Sequence, residues 1–257
     1  MRFLTGLFIC LIFGVGPGLA EKDKKVTTSL PEISMGKPDA PVLIIEYSSL
    51  TCTHCAEFHK TVMPIIKKKY IQPGYVRLVL RDFPGDRIAL TAHQTAWCKG
   101  KEKYLGFVKL FYDTQDKWLL AKDPVKALQD VALENGITKQ QFEDCVKSSA
   151  LMDKIIQSRL KGQKKYKITA TPTLVIDATS KEPKVFQEAL TLKEIEDVLQ
   201  PLLKPYLEQE KGCEKSSEKK DDSQKKDTGK KAEVKKEAKE KTTDKKEKPK
   251  KAKKADD

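Results

Sequence analysis

The segment Thr51-Cys52-Thr53-His54-Cys55 places two thiols three positions apart with a histidine between them. That spacing suits half of a zinc site, a structural disulfide, or a redox pair that cycles between dithiol and disulfide. Context separates the three. Residues 42–47, Val-Leu-Ile-Ile-Glu-Tyr, predict a buried strand just before the motif, and a helical pattern interrupted at Pro64 runs on to residue 69. The motif therefore opens a helix, where unpaired backbone N–H groups and the positive dipole end stabilise a thiolate at Cys52. Cys55, one turn further in, is shielded yet close enough to attack a mixed disulfide. Cys52 is the expected nucleophile and Cys55 the resolving thiol. His54 is expected to give a hydrogen bond or positive charge to the Cys52 sulfur, favouring the reduced form and making the disulfide a better oxidant. Cys52, Cys55 and His59 could share a helix face as metal ligands, but no second C-x-x-C or histidine pair offers the fourth ligand of structural zinc.

The elements that must hold these residues follow in a definite order. Residues 75–81 predict a second strand, closed by Phe83-Pro84-Gly85, and strand, helix, strand suggest a parallel unit. Segments 87–99, 103–112, 124–134, 139–149 and 151–163 carry apolar spacings of three and four, so about five helices follow. Asp123-Pro124 and the pair Thr138 and Gln141 are helix starts. Residues 173–176 and 184–187 return to strand character as an antiparallel pair, and Thr191 with Glu194 opens a last helix. The expected fold is α/β, a β-α-β half and a β-β-α half with a helical block inserted between them.

Cys98 and Cys145 lie on separate predicted helices of that block. They read as a second disulfide, worth about 4 kcal/mol in the loop-entropy model, or as two buried thiols, and an oxidising destination favours the bridge. His93, beside Trp97 and Cys98, reads as structural.

That destination is read from the start of the chain. Arg2, an apolar stretch of about 13 residues at 3–15, and Gly18-Leu19-Ala20 form the pattern of a secretory signal, whose removal takes Cys10 with it. The other end is unlike the rest. Of the formal charge of +13, +7 lies in residues 211–257, where 19 lysines face 12 acids and Val234 is the only large aliphatic residue. A segment so poor in apolar surface is expected to be disordered. It could touch anionic surfaces, while interleaved acids and the lack of aromatics argue against specific nucleic-acid binding. Cys213, at its threshold, is expected to be exposed and unpaired, or to bond another molecule.

The expected segments are therefore a signal at 1–20, a leader at 21–40, the first half at 41–86, the helical block at 87–166, the second half at 167–208 and the tail at 209–257.

The stretch Tyr47–Cys55, the Phe83-Pro84 strand end and Thr169-Ala170-Thr171-Pro172-Thr173 together resemble the bacterial DsbA-type thiol:disulfide oxidoreductases, over roughly residues 41–203. The resemblance implies a thioredoxin fold with an inserted helical domain. It also implies a cis Pro172 facing the cysteines, with the Thr171 backbone offered to an extended substrate. Glu46 matches the family's buried acid, able to relay a proton to or from Cys55. Thr53 departs from the pattern, standing where the best-known oxidases have proline, which bears on oxidant strength. The implied activity is disulfide introduction into exported proteins in the periplasm by a monomer without cofactor, reoxidised by a membrane quinone-linked partner. The alternatives are an isomerase or reductase using the same cysteines, or an exported metal- or surface-binding protein.

Overall fold

The computed structural model describes residues 29–224. The contacts divide the chain into two compact units, Met1–Gln200 and Pro201–Asp257. In the first, five strands form one mixed sheet, β1 (Ile33–Met35), β2 (Val42–Ser48), β3 (Val76–Asp82), β4 (Thr173–Ile176) and β5 (Lys184–Phe186), ordered β1-β3-β2-β4-β5. β2 and β3 are parallel and central, with Glu46 opposite Leu80 and Ser48 opposite Asp82. The other three pairings are antiparallel. β1 is an addition to the expected order. It lies in the segment read as leader, a three-residue edge strand whose stability comes from pairing with β3 rather than from its own pattern.

Between β2 and β3 the chain forms α1 (Thr53–Thr61), α2 (Met63–Ile66) and one wide turn at Lys67–Ile71. Pro64 falls in the first turn of α2, where its missing N–H is not needed. In the wide turn Gln72 N–H reaches Lys67 O at 2.8 Å, a five-residue step.

Six helices follow β3: α3 (Arg87–Trp97), α4 (Lys101–Asp113), α5 (Gln115–Leu119), α6 (Pro124–Glu134), α7 (Lys139–Lys147) and α8 (Ser149–Tyr166). Five residues are too few to show a helical period, and so α5 is absent from the expected set. Asp123 caps α6, and Thr138 with Gln141 forms the capping box of α7. All six belong to the same compact unit as the sheet.

The sheet buries both faces. Tyr47, Phe83, Tyr166, Ile168 and Val175 form one core cluster on the α8 side. Gly162 permits that packing, since a Cβ there would lie 2.5 Å from the Tyr47 ring.

Thr191 and Glu194 exchange hydrogen bonds at the start of α9 (Leu192–Gln224). α9 extends into the segment expected to be a disordered tail from residue 209 and is described as far as Gln224. The backbone of Cys213 lies in this helix. The signal at 1–20, the leader up to residue 28 and residues 225–257 lie outside the described residues. No described helix is long and apolar enough to cross a membrane.

Candidate active site

The turn from β2 into α1 sets the site. Cys52 is the N-cap of α1, held extended at φ −79° and ψ 118°, so its side chain turns back over the first helical turn. Its sulfur accepts the Cys55 N–H at 3.1 Å and lies 3.3 Å from the Thr171 carbonyl, to which the thiol donates. Thr171-Pro172 is a cis peptide. Both thiols are unbridged, with Cys52 partly accessible and Cys55 fully buried.

Burial and hydrogen bonding push the two thiols apart. Cys52 falls to about 6, chiefly through its hydrogen bond with the Cys55 thiol, helped by Thr171, the Cys55 N–H and the charge of His54, against the opposing cost of burial. Cys55 is held well above the ordinary thiol range, first by burial, then by Cys52 and the Glu46 carboxylate. The exposed His54 thus acts through space, as the smallest of the influences named for Cys52.

Glu46 is fully buried. Its Oε1 lies 2.8 Å from His59 Nε2, while its Oε2 is buried without a protein partner. His59 is committed to this pair and stacks on Tyr112 with ring centroids 4.7 Å apart. Among the described residues no group of three ligating side chains could hold a metal ion.

Sequence reasoning missed the groups that fix the loop before Cys52. Gln115 on α5 donates to Leu50 O at 2.8 Å and Cys52 O at 3.1 Å, and Tyr112 donates to Ser49 O at 3.2 Å. Thr51 donates to Asp86, whose other oxygen caps α3 through Ala89 N–H at 2.7 Å. The helical block therefore clamps the thiol-bearing loop. Only the unusual burial of a glutamine could have signalled this, and burial is a tertiary property.

Cys98 and Cys145 are bonded, with Cα atoms 5.7 Å apart, joining the end of α3 to α7. Gln94 reinforces the junction by donating to Cys145 O at 3.0 Å and Val146 O at 3.2 Å. His93 belongs to a separate buried cluster, with its Nδ1 2.8 Å from Asp82 Oδ1.

A parallel strand pair, a cysteine pair at the helix start and a cis-proline turn beside it define a thioredoxin-type redox protein. The thioredoxin family model matches residues 28–201. Wolbachia pipientis alpha-DsbA1 is 32% identical, with TM-score 0.63, covering 70% of this chain and 96% of its own. A Rickettsia prowazekii protein named for protein-disulfide oxidoreduction is 30% identical over 161 residues, 62% of this chain and 59% of the relative. Disulfide bond formation protein D of Bacillus subtilis is 27% identical over 185 residues, 66% of this chain and 76% of the relative. The matched part spans only 56% to 63% of the length of three rickettsial relatives. The chain belongs to the thioredoxin family and, within it, to the DsbA-type branch.

Proposed function

We propose that the chain is a protein thiol:disulfide oxidoreductase that introduces disulfides into exported proteins. The observation that carries this reading is the asymmetry of the pair. An accessible Cys52 thiolate is stabilised by the Cys55 thiol and N–H, while Cys55 is buried and kept protonated.

In the oxidised protein Cys52 and Cys55 share a disulfide. A substrate thiolate attacks Cys52 Sγ, the Cys52–Cys55 bond breaks, and Cys55 leaves with the electron pair. Its burial disfavours that charge, so Cys55 takes up a proton, and the orphaned Oε2 of Glu46 is the group we assign to relay it from solvent. A second substrate thiolate then attacks the substrate sulfur of the mixed disulfide. Cys52 leaves as its stabilised thiolate. The substrate loses two electrons and two protons, and the protein gains the electrons as a dithiol. The Thr171 carbonyl beside cis-Pro172 is the backbone group we assign to an extended substrate once the Cys52 thiol no longer donates to it.

A stabilised Cys52 thiolate favours the reduced protein, which is what an oxidant requires and an isomerase or reductase does not. The secretory pattern of residues 1–20 and the Cys98–Cys145 bridge support an oxidising compartment, read as the periplasm. Reduced cysteine-containing exported proteins are the proposed substrates, with a membrane quinone-linked protein as the reoxidising partner.

The reduction potential of the Cys52–Cys55 pair tests the assignment. A value clearly more oxidising than the about −270 mV of thioredoxin is expected, and one at or below about −270 mV would assign a reductase instead.

A further inference from the structure

Helix α8 carries Lys154, Ser158, Lys161 and Lys165 along one face, each three or four residues from the next. A helix face turned toward a sheet is ordinarily apolar. Here it borders a cavity of about 430 Å³ whose far wall is Ile45, Tyr47 and Arg81 of β2 and β3, a volume within the ~300–1,000 Å³ of ligand clefts. Ile45 and Tyr47 alternate with Glu46 along β2, so the cavity lies on the opposite sheet face from the Glu46–His59 pair.

Its charge is one-sided. Arg81 and the three lysines face a single acid, Glu32, and that carboxylate is already shared between Arg77 and Arg81. Among the described residues, none of the three lysines is paired with a carboxylate. A concave site lined by one sign of charge above low-dielectric walls concentrates counter-ions. Those walls are Tyr47 and Tyr166. Burial pushes Tyr47 up to about 12, so it stays neutral, and the buried Tyr166 hydroxyl has no hydrogen-bond partner. Lys165 Nζ stands 4.8 Å above the Tyr166 ring, which places a cation against the apolar wall.

The chain's own ends do not suit the cavity. Residues 21–28, Glu-Lys-Asp-Lys-Lys-Val-Thr-Thr, carry three lysines against two acids, and the tail carries +7. Neither segment carries the net negative charge that would complement a basic cleft.

We propose that this cavity binds a small organic oxyanion, a phosphate or carboxylate head on an apolar body, with the head held by Lys154, Lys161 and Arg81 and the body against Tyr47 and Tyr166. The site is independent of the thiol chemistry. The test is calorimetric titration of the full chain with phenyl phosphate at low ionic strength, with phenol and inorganic phosphate as controls. Phenyl phosphate should bind saturably, phenol should not, and inorganic phosphate should bind at least about ten-fold more weakly. A Lys154→Gln/Lys161→Gln variant should fold with an unchanged Tm, exchange thiols at the parent rate and bind phenyl phosphate about ten-fold more weakly. If phenyl phosphate fails to saturate, if the variant binds it equally well, or if inorganic phosphate matches it, the proposal is overturned.

Discussion

Glu46 on β2 and Asp82 on β3 are both buried carboxylates on one sheet face, each with a histidine nitrogen 2.8 Å away. They differ in what else they hold. Asp82 also accepts from Trp97 Nε1 at 2.8 Å and from the Tyr104 hydroxyl, so both of its oxygens are engaged, by three groups in all. Burial alone would raise its pKa, but His93, Tyr104 and Trp97 outweigh that cost and lower it. Glu46 keeps one oxygen bonded to His59 and the other without a protein partner, and its charge bears on Cys55. A saturated carboxylate fixes structure, joining β3 to α3 and α4. A half-saturated one whose charge bears on a thiol suits the proton relay proposed for Glu46, at the cost of an unsatisfied buried atom.

Replacing each acid should separate these roles. Asp82→Ala leaves His93, Tyr104 and Trp97 with buried, unpaired donors, so unfolding should require about 3–5 kcal/mol less, read from the urea midpoint. The Cys52 titration of whatever remains folded should stay near that of the parent. Glu46→Gln retains an acceptor for His59, so its urea midpoint should move little, by under about 1 kcal/mol. Oxidation of a dithiol peptide by the oxidised variant should instead slow about a hundred-fold, the scale of a lost proton relay. A large stability loss with normal exchange for Glu46→Gln would make the two acids equivalent and remove the relay from the mechanism.

The contrast was only half legible in the sequence. A carboxylate in the run from Val42 to Tyr47 stands out because its neighbours are apolar, and the strand-to-helix setting of Cys52 follows from the local pattern alone. The pairing of His59 with Glu46 depends on how α1 is rotated against the sheet, which spacing within the helix does not reveal. Asp82 and His93 gave still less signal, since an acid at a strand end and a histidine in a helix are ordinary until burial brings them together. The same limit hid Gln115 and β1: one acts through a fold-dependent contact, the other exists only through its partner strand. The lysines of α8 were visible as residues, but the cavity they border was not.

A smaller effect, read as stability against pH in each redox state, sharpens the comparison further. Asp82 has a folded pKa below its ordinary 3.8, so its contribution is complete above that value and is lost as pH falls through the folded pKa. That acid limb should appear whether or not Cys52 and Cys55 are joined. The thiols titrate only when reduced. Cys52 drops from 9.0 to about 6 on folding, so the reduced protein should gain stability as pH rises from about 6 to about 9. One proton limits the slope to about 1.4 kcal/mol per pH unit, and the partial exposure of Cys52 reduces it further. Above 9 the trend should reverse, because Cys55 ionises in the unfolded chain while the buried thiol resists. Urea midpoints of oxidised and reduced protein across this range should therefore share the acid limb and diverge only above about pH 6. An alkaline limb of equal size in the oxidised protein would show that a group other than the Cys52–Cys55 pair titrates there.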